Sequence, residues 1–437
     1  MLFLPAKLLN LNTELLYELY QQYPSVQTDT RKLKQGDIFF ALSGPNFNGN
    51  DFALKAIESG AAYAIVDTEI ANEDGRIIKV DNVLDSLQML AKYHRERFNI
   101  PFIAITGSNG KTTTKELVSA VLASHFKTYT TQGNLNNHIG IPLTLLQVRE
   151  NAEMAVIEMG ANHLKEIESY CNYVEPTHGI ITNCGKAHLE GFGGIEGVRK
   201  GKRELFDFLR ANHGTAFIFN NYQYLREMSK GIENVVTYGT ADAYLTGEAV
   251  ASETYLKVQI TNEDFPATVQ TQLAGDYNLP NVLCAAAIGK YFDVPVKKII
   301  RAIENYVPGN SRSQVLVKGS NHIILDAYNA NPSSMKAAIE NIAKMQSAPK
   351  ILMLGGMMEL GEESLAEHQN IIDLIKKYTW KKVVLVGGDF EKTQHAFLYF
   401  NNAAKAAEWS SKQNFENVYI LIKGSRSIKM EKIAEVL

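Results

Sequence analysis

A short glycine-rich segment carries the clearest chemical signal in the sequence. It follows the apolar run 102–105 and leads into a helical pattern at 113–125, and its members are Gly107, Ser108, Asn109, Gly110, Lys111, Thr112 and Thr113. Backbone amides at the start of a helix bind phosphate oxygens, and the helix dipole favours their negative charge. A lysine suits the β- and γ-phosphates, and the threonine after it suits Mg²⁺. We therefore predict a nucleoside triphosphate site here, the alternative being an ordinary glycine turn before a helix.

An acidic residue at the end of an apolar run is the second candidate. Residues 154–157 predict a buried strand, and Glu158 follows directly. Ligands of α/β proteins bind at the carboxyl ends of parallel strands, and carboxylate oxygens suit Mg²⁺. Glu158 is therefore predicted to hold Mg²⁺ beside the phosphates, the alternative being a carboxylate that simply faces water.

Alternating strand and helix patterns surround both candidates. Helical spacing near 15–20 and 83–98 and a strand at 63–66 predict a small α/β domain. Further on, strand patterns alternate with helical ones, and the strands lie at 102–105, 154–157 and 179–182. This alternation favours a parallel sheet covered on both faces. The alternation of apolar and polar residues over 255–271 predicts a small antiparallel part, before an Ala-rich helix at 282–291.

A second doubly wound domain is predicted near the end of the chain. Its strand patterns lie at 323–325, 351–354, 383–386 and 418–422. Proline and glycine interrupt the patterns near Pro101 and Pro308. We therefore predict an α/β protein of three domains: a small one (1–99), a central P-loop ATPase-like one (100–308) and a C-terminal Rossmann-like one (309–437).

Composition excludes several classes of protein. Hydrophobic residues make up 45% of the 437 residues and charged residues 21%, which is typical of globular chains and excludes disorder. The net charge of 44 − 47 = −3 argues against a nucleic-acid partner bound by bulk charge. Three cysteines argue against a disulfide framework. With no apolar run of 18 residues, we expect no membrane insertion, and a cytoplasmic protein.

The shortened loop Thr-Gly-x-Asn-Gly-Lys-Thr resembles that of the Mur ligase family. Further motifs resemble the branch of that family that adds D-alanyl-D-alanine, and they lie at 133–144, 326–332, 354–361 and 423–426. The resemblance implies an ATP-dependent ligase of peptidoglycan synthesis. Such an enzyme would phosphorylate the carboxylate of UDP-N-acetylmuramoyl-tripeptide, and the amine of D-alanyl-D-alanine would attack the acyl phosphate. The implied partners are small molecules alone, and a monomer is expected.

The same resemblance implies roles for residues around the phosphates. Lys111, Glu158, His188, Lys202 and Arg312 would be catalytic. Mg²⁺ would be held by Thr112, Glu158, His188 and Lys202, the last as a carbamate formed with CO₂; a solvated basic helix face is the alternative for Lys202. In addition to the glycine-rich segment, the nucleotide would be bound by Asn281, Arg312 and Asp326.

Residues for the two other substrates are implied in the same way. The uridine nucleotide would meet a polar segment in the first domain, made of Thr28, Asp29, Thr30 and Arg31. Substrate would also contact Asn134 and Asn137 of the Asn-rich motif. Asn329, Asn331, Glu359 and His368 would line the cleft in the third domain.

Three alternatives stay open beside this function. A sibling ligase would add a diamino acid to the same type of substrate or glutamate to folates. A nucleotide switch would hydrolyse its nucleotide without an amine acceptor. A catalytically dead scaffold would lack reactive groups, whereas Lys111, Glu158, His188 and Lys202 are all present.

Overall fold

The structure is a computed structural model that describes residues 12–71, 74–252, 254–309, 311–346 and 348–437. These residues form two compact units. The first contains the described residues up to Ile103, together with Lys127–Gly160 and Glu168–Pro176. The second contains Ala104–Phe126, Ala161–Ile167 and Thr177–Leu437. No helix of the described residues is long and apolar enough to cross a bilayer.

The first hundred residues form a small parallel sheet with helices. In chain order the elements are α1 (Thr13–Gln22), β1 (Val26–Gln27), β2 (Ile38–Phe40), β3 (Ser43–Gly44), β4 (Phe47–Asn48), α2 (Ala53–Glu58), β5 (Tyr63–Val66), β6 (Ile77–Lys79) and α3 (Val83–Arg95). The sheet order is β1-β2-β5-β6, and all three pairings are parallel. Small residues such as Ala53, Ala56 and Ala64 let α2 pack closely on this sheet. The predicted helices and the strand at 63–66 are confirmed, with α3 ending three residues early.

The central part of the chain alternates strands and helices, as predicted. Its elements are β7 (Phe102–Thr106), α4 (Lys111–Ala123), β8 (Thr128–Thr130), α5 (Gly140–Leu145), β9 (Met154–Glu158), α6 (Glu166–Val174), β10 (His178–Ile181), α7 (Leu189–Phe192), α8 (Ile195–Ala211), β11 (Thr215–Phe219), α9 (Gln223–Met228), β12 (Asn234–Gly239), β13 (Leu245–Val250), β14 (Tyr255–Ile260), β15 (Ala267–Ala274), α10 (Leu279–Tyr291) and α11 (Val296–Asn305). Strands β10 to β13 pair in parallel, and β13, β14 and β15 pair antiparallel, which confirms the small antiparallel part.

Two features of this part position the glycine-rich segment. In the second unit, the backbone N–H of Thr182, just after β10, donates to the carbonyl of Thr106 at the end of β7 (2.9 Å). The Ala-rich helix α10 is buried over 281–289 and packs against α4. Because alanine side chains are short, two helices can approach closely along such a face. The helix that follows the glycine-rich segment is thereby fixed along its length.

The last part of the chain forms a six-stranded sheet. Its elements are β16 (Gln314–Lys318), β17 (Asn321–Asp326), α12 (Pro332–Lys344), β18 (Lys350–Gly355), α13 (Ser364–Ile375), β19 (Lys382–Val386), β20 (Leu398–Phe400), α14 (Ala403–Ser410), β21 (Tyr419–Lys423) and α15 (Glu431–Val436). The order is β16-β17-β21-β18-β19-β20, and only β16 is antiparallel. The four predicted strands are confirmed, and β16 and β20 at the edges were not predicted. The carboxyl ends of β17, β21 and β18 are neighbours, which brings the loops after them together.

Candidate functional site

The glycine-rich segment is a tight loop between β7 and α4. Gly107 and Gly110 have φ angles of +139° and +79°. A Cβ on Gly107 would lie 2.0 Å from the Thr182 hydroxyl, and one on Gly110 would lie 2.7 Å from the Asn281 amide oxygen. Side chains are therefore excluded at both positions by conformation and by space. Helix α4 begins at Lys111, two residues before the predicted start, so the helix N-terminus coincides with the loop.

Neighbouring segments of the second unit hold the loop in this shape. The backbone N–H of Ser108 donates to the Asn183 carbonyl (2.9 Å), and that of Asn109 donates to the Asn183 side chain (3.0 Å). The Thr182 hydroxyl donates to the Asn109 carbonyl (2.6 Å). The Lys111 ammonium folds back and donates to the carbonyls of Gly107 (2.6 Å) and Ser108 (3.2 Å). A pre-organised loop with a lysine over it is a geometry that suits phosphate oxygens.

Lys202 is a buried lysine on α8. Its side chain is 1% exposed, and its ammonium donates to the Ala161 carbonyl at 3.0 Å. Burial, followed by the nearby charge of Lys111, lowers the pKa of Lys202 to about 7. Lys200, two residues earlier, is exposed. Because it is buried, the Lys202 side chain differs from the solvated basic face considered as the alternative.

The third part of the chain contacts the glycine-rich loop directly. The Asn331 amide donates to the Asn109 side chain at 2.7 Å, while its oxygen accepts from the Ser334 backbone N–H in a capping box at the start of α12. Two further contacts join the central part to the third. Lys186 donates to Glu367 (2.5 Å), and His188 lies 2.5 Å from a Glu359 oxygen. The pKa of Glu359 is lowered, chiefly by its hydrogen bond with His188.

A buried ion pair lies at the carboxyl end of β17. The Lys423 ammonium is 2% exposed and donates to Asp326 (2.5 Å) and to the Asn329 carbonyl (3.3 Å). The Ser313 backbone N–H also donates to Asp326 (3.1 Å). The predicted nucleotide residue Asp326 is therefore held at two of its oxygens. Asn329 is exposed, and its side-chain oxygen accepts from the Ala330 N–H.

Two other predicted residues of the second unit have clear surroundings. Asn281 lies beside the glycine-rich loop, where its oxygen accepts from the Thr114 hydroxyl (3.0 Å) and its nitrogen donates to Asn278 (2.9 Å). Arg312 stacks on the Tyr328 ring, with its guanidinium carbon 3.6 Å from the ring centroid. His368, which was expected to line the cleft, is 0% exposed. It lies beneath the loop after β18, where its Nε2 accepts from the Met357 N–H (3.0 Å).

Glu158 belongs to the first unit, at the end of β9. It is 1% exposed and accepts a hydrogen bond from the Asn136 amide at 2.7 Å. Asn134 and Asn137 were predicted from the sequence and Asn136 was not, although its position inside the Asn-rich motif was a usable signal. The Asn137 side chain instead accepts from the backbone N–H groups of Ile139 and Gly140 at the start of α5. Asn134 is exposed.

The predicted uridine segment is also in the first unit. Asp29 accepts two hydrogen bonds of 2.8 Å from the exposed Arg31 side chain, and this contact lowers the pKa of Asp29 to about 2. Thr28 donates its N–H to Gln27, and Thr30 begins a short 3-10 turn. A cavity of about 220 Å³ lies next to this segment, and Gln27, Lys32, Lys34 and Arg149 are among its lining residues. Sequence patterns alone did not indicate that cavity.

The candidate metal ligands are divided between the two compact units. Within the described part of the chain, no three His, Cys, Asp or Glu side chains are close enough to hold a metal ion. Thr112 and Lys202 belong to the second unit, as does His188, whereas Glu158 belongs to the first.

Comparison with known proteins gives matches along nearly the whole chain. The Mur ligase family catalytic domain matches residues 22–95, the Mur ligase middle domain 105–289, and the Mur ligase glutamate ligase domain 311–426. UDP-N-acetylmuramoyl-tripeptide–D-alanyl-D-alanine ligase of Bacillus subtilis (strain 168) is 33% identical over 94% of this chain and 92% of its own length. The ligase of the same name from Escherichia coli (strain K12) is 32% identical, over 94% and 93%.

Solved structures agree with these relatives. MurF from Acinetobacter baumannii is 28% identical, with a TM-score of 0.85 over 96% of this chain and 97% of that one. MurF from Thermotoga maritima, solved in complex with ADP, is 25% identical, with a TM-score of 0.85 over 94% and 96%. The predicted α/β fold of three domains, with a mostly parallel central sheet, is confirmed by these likenesses.

Proposed function

This chain belongs to the Mur ligase family, and on that premise we propose that it joins D-alanyl-D-alanine to UDP-N-acetylmuramoyl-tripeptide at the expense of ATP. The products are UDP-N-acetylmuramoyl-pentapeptide, ADP and phosphate. The observation that carries the proposal is the glycine-rich loop at the start of α4, held by Asn183 and Thr182 and contacted by Asn331 of the third part. Similarity to UDP-N-acetylmuramoyl-tripeptide–D-alanyl-D-alanine ligases over 94% of the chain supports this choice of substrates.

The proposed reaction proceeds in two steps. An oxygen of the tripeptide's terminal carboxylate attacks the γ-phosphorus of ATP, and ADP leaves as the old P–O bond breaks. The amine nitrogen of D-alanyl-D-alanine then attacks the acyl carbon and releases one proton to solvent, and phosphate leaves as the amide forms. Phosphate leaves far more easily than hydroxide would, so the protein mainly positions the reactants and neutralises charge. Lys111 and Arg312 would supply that charge at the phosphates.

Thr112 and Glu158 suit a magnesium ion beside the phosphates. Both are buried oxygen donors, and Mg²⁺ prefers oxygen ligands over the nitrogen of His188. When bound, Mg²⁺ would neutralise charge on the phosphate oxygens. In this structure His188 is paired with Glu359. We assign His188 to the metal only as a further ligand beside these oxygens.

The Lys202 amine suits carbamylation. Its neutral form attacks CO₂, a new N–C bond forms, one proton is lost to solvent, and the side chain becomes an anion. Burial lowers the pKa of Lys202, which favours the neutral amine that this reaction requires. The carbamate would supply further oxygen ligands for Mg²⁺. An unmodified lysine ammonium would instead repel the metal.

The setting of the reaction is part of the proposal. The enzyme works in the cytoplasm as a monomer on small-molecule substrates, in the synthesis of the peptidoglycan that determines cell shape. All three cysteines are buried, and none of them forms a disulfide bond within the described residues, as expected in a reducing compartment.

Amine-donor dependence tests the proposal. ATP, UDP-N-acetylmuramoyl-tripeptide and one donor are combined, phosphate release is measured, and the products are weighed by mass spectrometry. D-alanyl-D-alanine should give the pentapeptide mass, whereas meso-diaminopimelate and glutamate should give none. Products with either of those donors would instead identify a sibling ligase. Phosphate release without any donor would identify a nucleotide switch.

A further inference from the structure

Ser313, near the start of the third part of the chain, has an unusual backbone conformation. Its φ angle is +47°, in the left-handed region that residues other than glycine rarely adopt. Such a conformation persists only where surrounding contacts determine it. The Ser313 N–H donates to Asp326 (3.1 Å), and its carbonyl accepts from the Ala274 N–H (3.5 Å). Its hydroxyl lies 3.1 Å from that of Tyr277, so three other segments of the second unit hold this residue.

The turn that carries Tyr277 also contacts the helix of the glycine-rich loop. Tyr277 and Asn278 belong to a 3-10 turn, Asp276–Asn278, directly before α10. The Asn278 side chain accepts from the Asn281 amide (2.9 Å), and the Asn281 oxygen accepts from the Thr114 hydroxyl of α4 (3.0 Å). Two neighbouring residues of one turn therefore have different partners. Asn278 faces the side chains around the glycine-rich loop, and Tyr277 faces the third part of the chain.

Tyr277 contributes a neutral hydroxyl to its contact with Ser313. Its ring packs against Gly275, where an added Cβ would lie 2.3 Å from a ring carbon. Burial raises the pKa of Tyr277, so the hydroxyl keeps its proton and can donate or accept a hydrogen bond. Ser313 is 5% exposed, which leaves its hydroxyl little access to water. The Tyr277 hydroxyl is therefore a partner that water cannot readily replace.

Asp326 is the charged group that Ser313 helps to hold. Ser313 donates to one of its carboxylate oxygens, and Lys423 donates to the other. A carboxylate has about four lone-pair sites, so each oxygen keeps one for a ligand. Asp326 ends β17, and acidic residues at this edge of Rossmann-like sheets accept hydrogen bonds from the ribose hydroxyls of bound nucleotides. With both oxygens held, the remaining lone pairs have fixed directions.

We infer that Tyr277 is a positioning residue whose hydroxyl, acting through Ser313, orients the Asp326 carboxylate toward the ribose of ATP. The inference rests on the proposed function, which supplies ATP as the nucleotide. Arg312, the neighbour of Ser313 assigned to the phosphates, is held separately by its stacking on Tyr328. Loss of the Tyr277 hydroxyl should therefore weaken recognition of the ribose and leave recognition of the phosphates unchanged.

Calorimetric titration of the full chain with ATP or 2′,3′-dideoxy-ATP, both with Mg²⁺ and without peptide substrate, tests the inference. Hydrogen bonds to a charged group correspond to about 10-fold in Kd or more, so the wild type should prefer ATP by about that factor. Tyr277→Phe should lose most of this preference and bind dideoxy-ATP as the wild type does. Asp326→Asn is the reference for a lost preference. Tyr378→Phe, at a site that is 39% exposed, is the matched control and should keep the preference.

Substitution of Ser313 separates orientation of Asp326 from a simple loss of a hydrogen bond. Ser313→Ala, alone or combined with Tyr277→Phe, should bind ATP as weakly as Tyr277→Phe, because all three variants break the same connection. A double variant that binds ATP like the wild type would overturn the inference. Tyr277→Phe would then act only by leaving the Ser313 hydroxyl without a partner.

Three other results would also overturn the inference. They are an unchanged preference in Tyr277→Phe, equal weakening of both nucleotides in that variant, and a wild type that binds both nucleotides equally. Pentapeptide formation, measured on the same preparation, tests the proposed function separately. A wild type that prefers ATP over dideoxy-ATP but forms no pentapeptide would overturn the proposed function alone. A wild type that binds neither nucleotide would overturn both.

Discussion

The glycine-rich loop and the loops at the carboxyl edge of the last sheet are built in different ways. The first, residues 106–112, is one continuous segment with two glycines and the start of α4, and Thr182 and Asn183 hold it by hydrogen bonds. The second, here called the three-loop cluster, consists of residues 326–331, 355–360 and 423–426, which follow β17, β18 and β21. Its contacts join residues far apart in the chain, such as Lys423 and Asp326.

This difference indicates which substitutions should affect each region most. The continuous loop depends most strongly on its own few residues, although Thr182 and Asn183 also hold it. An assembled cluster depends on partners in several elements, so that each single contact has a smaller effect. Substitutions within the loop should therefore affect activity more than substitutions within the three-loop cluster.

The largest effect is expected from Lys111→Ala. The ammonium of Lys111 lies over the loop and would bind the phosphates that change charge during transfer. Removing one such group from a pre-organised site typically lowers kcat by roughly 10²- to 10³-fold. ATP-dependent pentapeptide formation should fall by that factor, with the circular dichroism spectrum unchanged. Lys297→Ala, on the exposed start of α11, is the control and should retain full activity; a Lys111 variant of similar activity would refute the role.

A second large effect is expected from Lys202→Ala. Lys202 lies in the central part of the chain, and its ammonium contacts Ala161, which is 41 residues away in sequence. Turnover should fall by about 100-fold, the upper range for ligands and their supports at metal sites. Short carboxylic acids should partly restore it, because they can supply the oxygens of the missing carbamate. The neighbouring Lys200→Ala, at an exposed position on the same helix, should behave like the wild type.

Two results would contradict the role of Lys202. Near-normal turnover in Lys202→Ala would exclude it from catalysis. Equal restoration by neutral amides of the same size as the acids would mean that a filled cavity, and no carboxylate, is required.

An intermediate effect is expected from Asn331→Asp, which tests the contact between the two regions. Aspartate can still accept the Ser334 N–H at the start of α12, so the helix cap is retained. It can no longer donate to Asn109, and it adds a negative charge beside the phosphate site. We expect the KM for ATP to rise about 10-fold, as for the loss of about 1.4 kcal/mol. Asn402→Asp, an equivalent cap on α14, is the control; equal kinetics in both variants would show that the contact is dispensable.

The sequence predicted the local features of this protein well. The loop at 106–112 could be recognised because the residues of its motif are consecutive in the sequence. The buried strands could be recognised from their apolar runs. The edge strands β16 and β20 were missed, since their residues are mostly half-buried and lack such a run. Partners far apart in sequence were missed for a related reason. Nothing in the local pattern connects Lys186 with Glu367, 181 residues away, or Tyr328 with Arg426, 98 residues away.

The smallest effect is expected from protonation of His368. It should lower the stability of the three-loop cluster at acidic pH and leave the glycine-rich loop unchanged. The Nε2 of this buried side chain accepts the Met357 N–H, and its Nδ1 faces the Ser364 carbonyl, so this contact requires the neutral ring. Burial lowers the pKa of His368 below 6.5, against the opposing charges of Asp389 and Glu367. The unfolded chain therefore takes up the proton first, and this contribution to stability is present above pH 6.5 and decreases as the pH falls below it. The loop at 106–112 contains no histidine or acid.

Hydrogen exchange measured by mass spectrometry at pH 8 and pH 5.5, after correction for the intrinsic rate, can locate this loss. Peptides covering 355–360 should lose protection at the lower pH, and peptides covering 106–112 should not. His368→Gln keeps an acceptor near the Met357 N–H and removes the titration, so its stability at pH 8 should fall by no more than about 1 kcal/mol. Protection of 355–360 in that variant should be independent of pH, whereas His213→Gln, at an exposed site, should leave the wild-type response intact. Equal losses of protection in both regions of the wild type would mean that the two regions unfold as one cooperative unit. They would then differ in how their residues are distributed along the sequence, but not in stability.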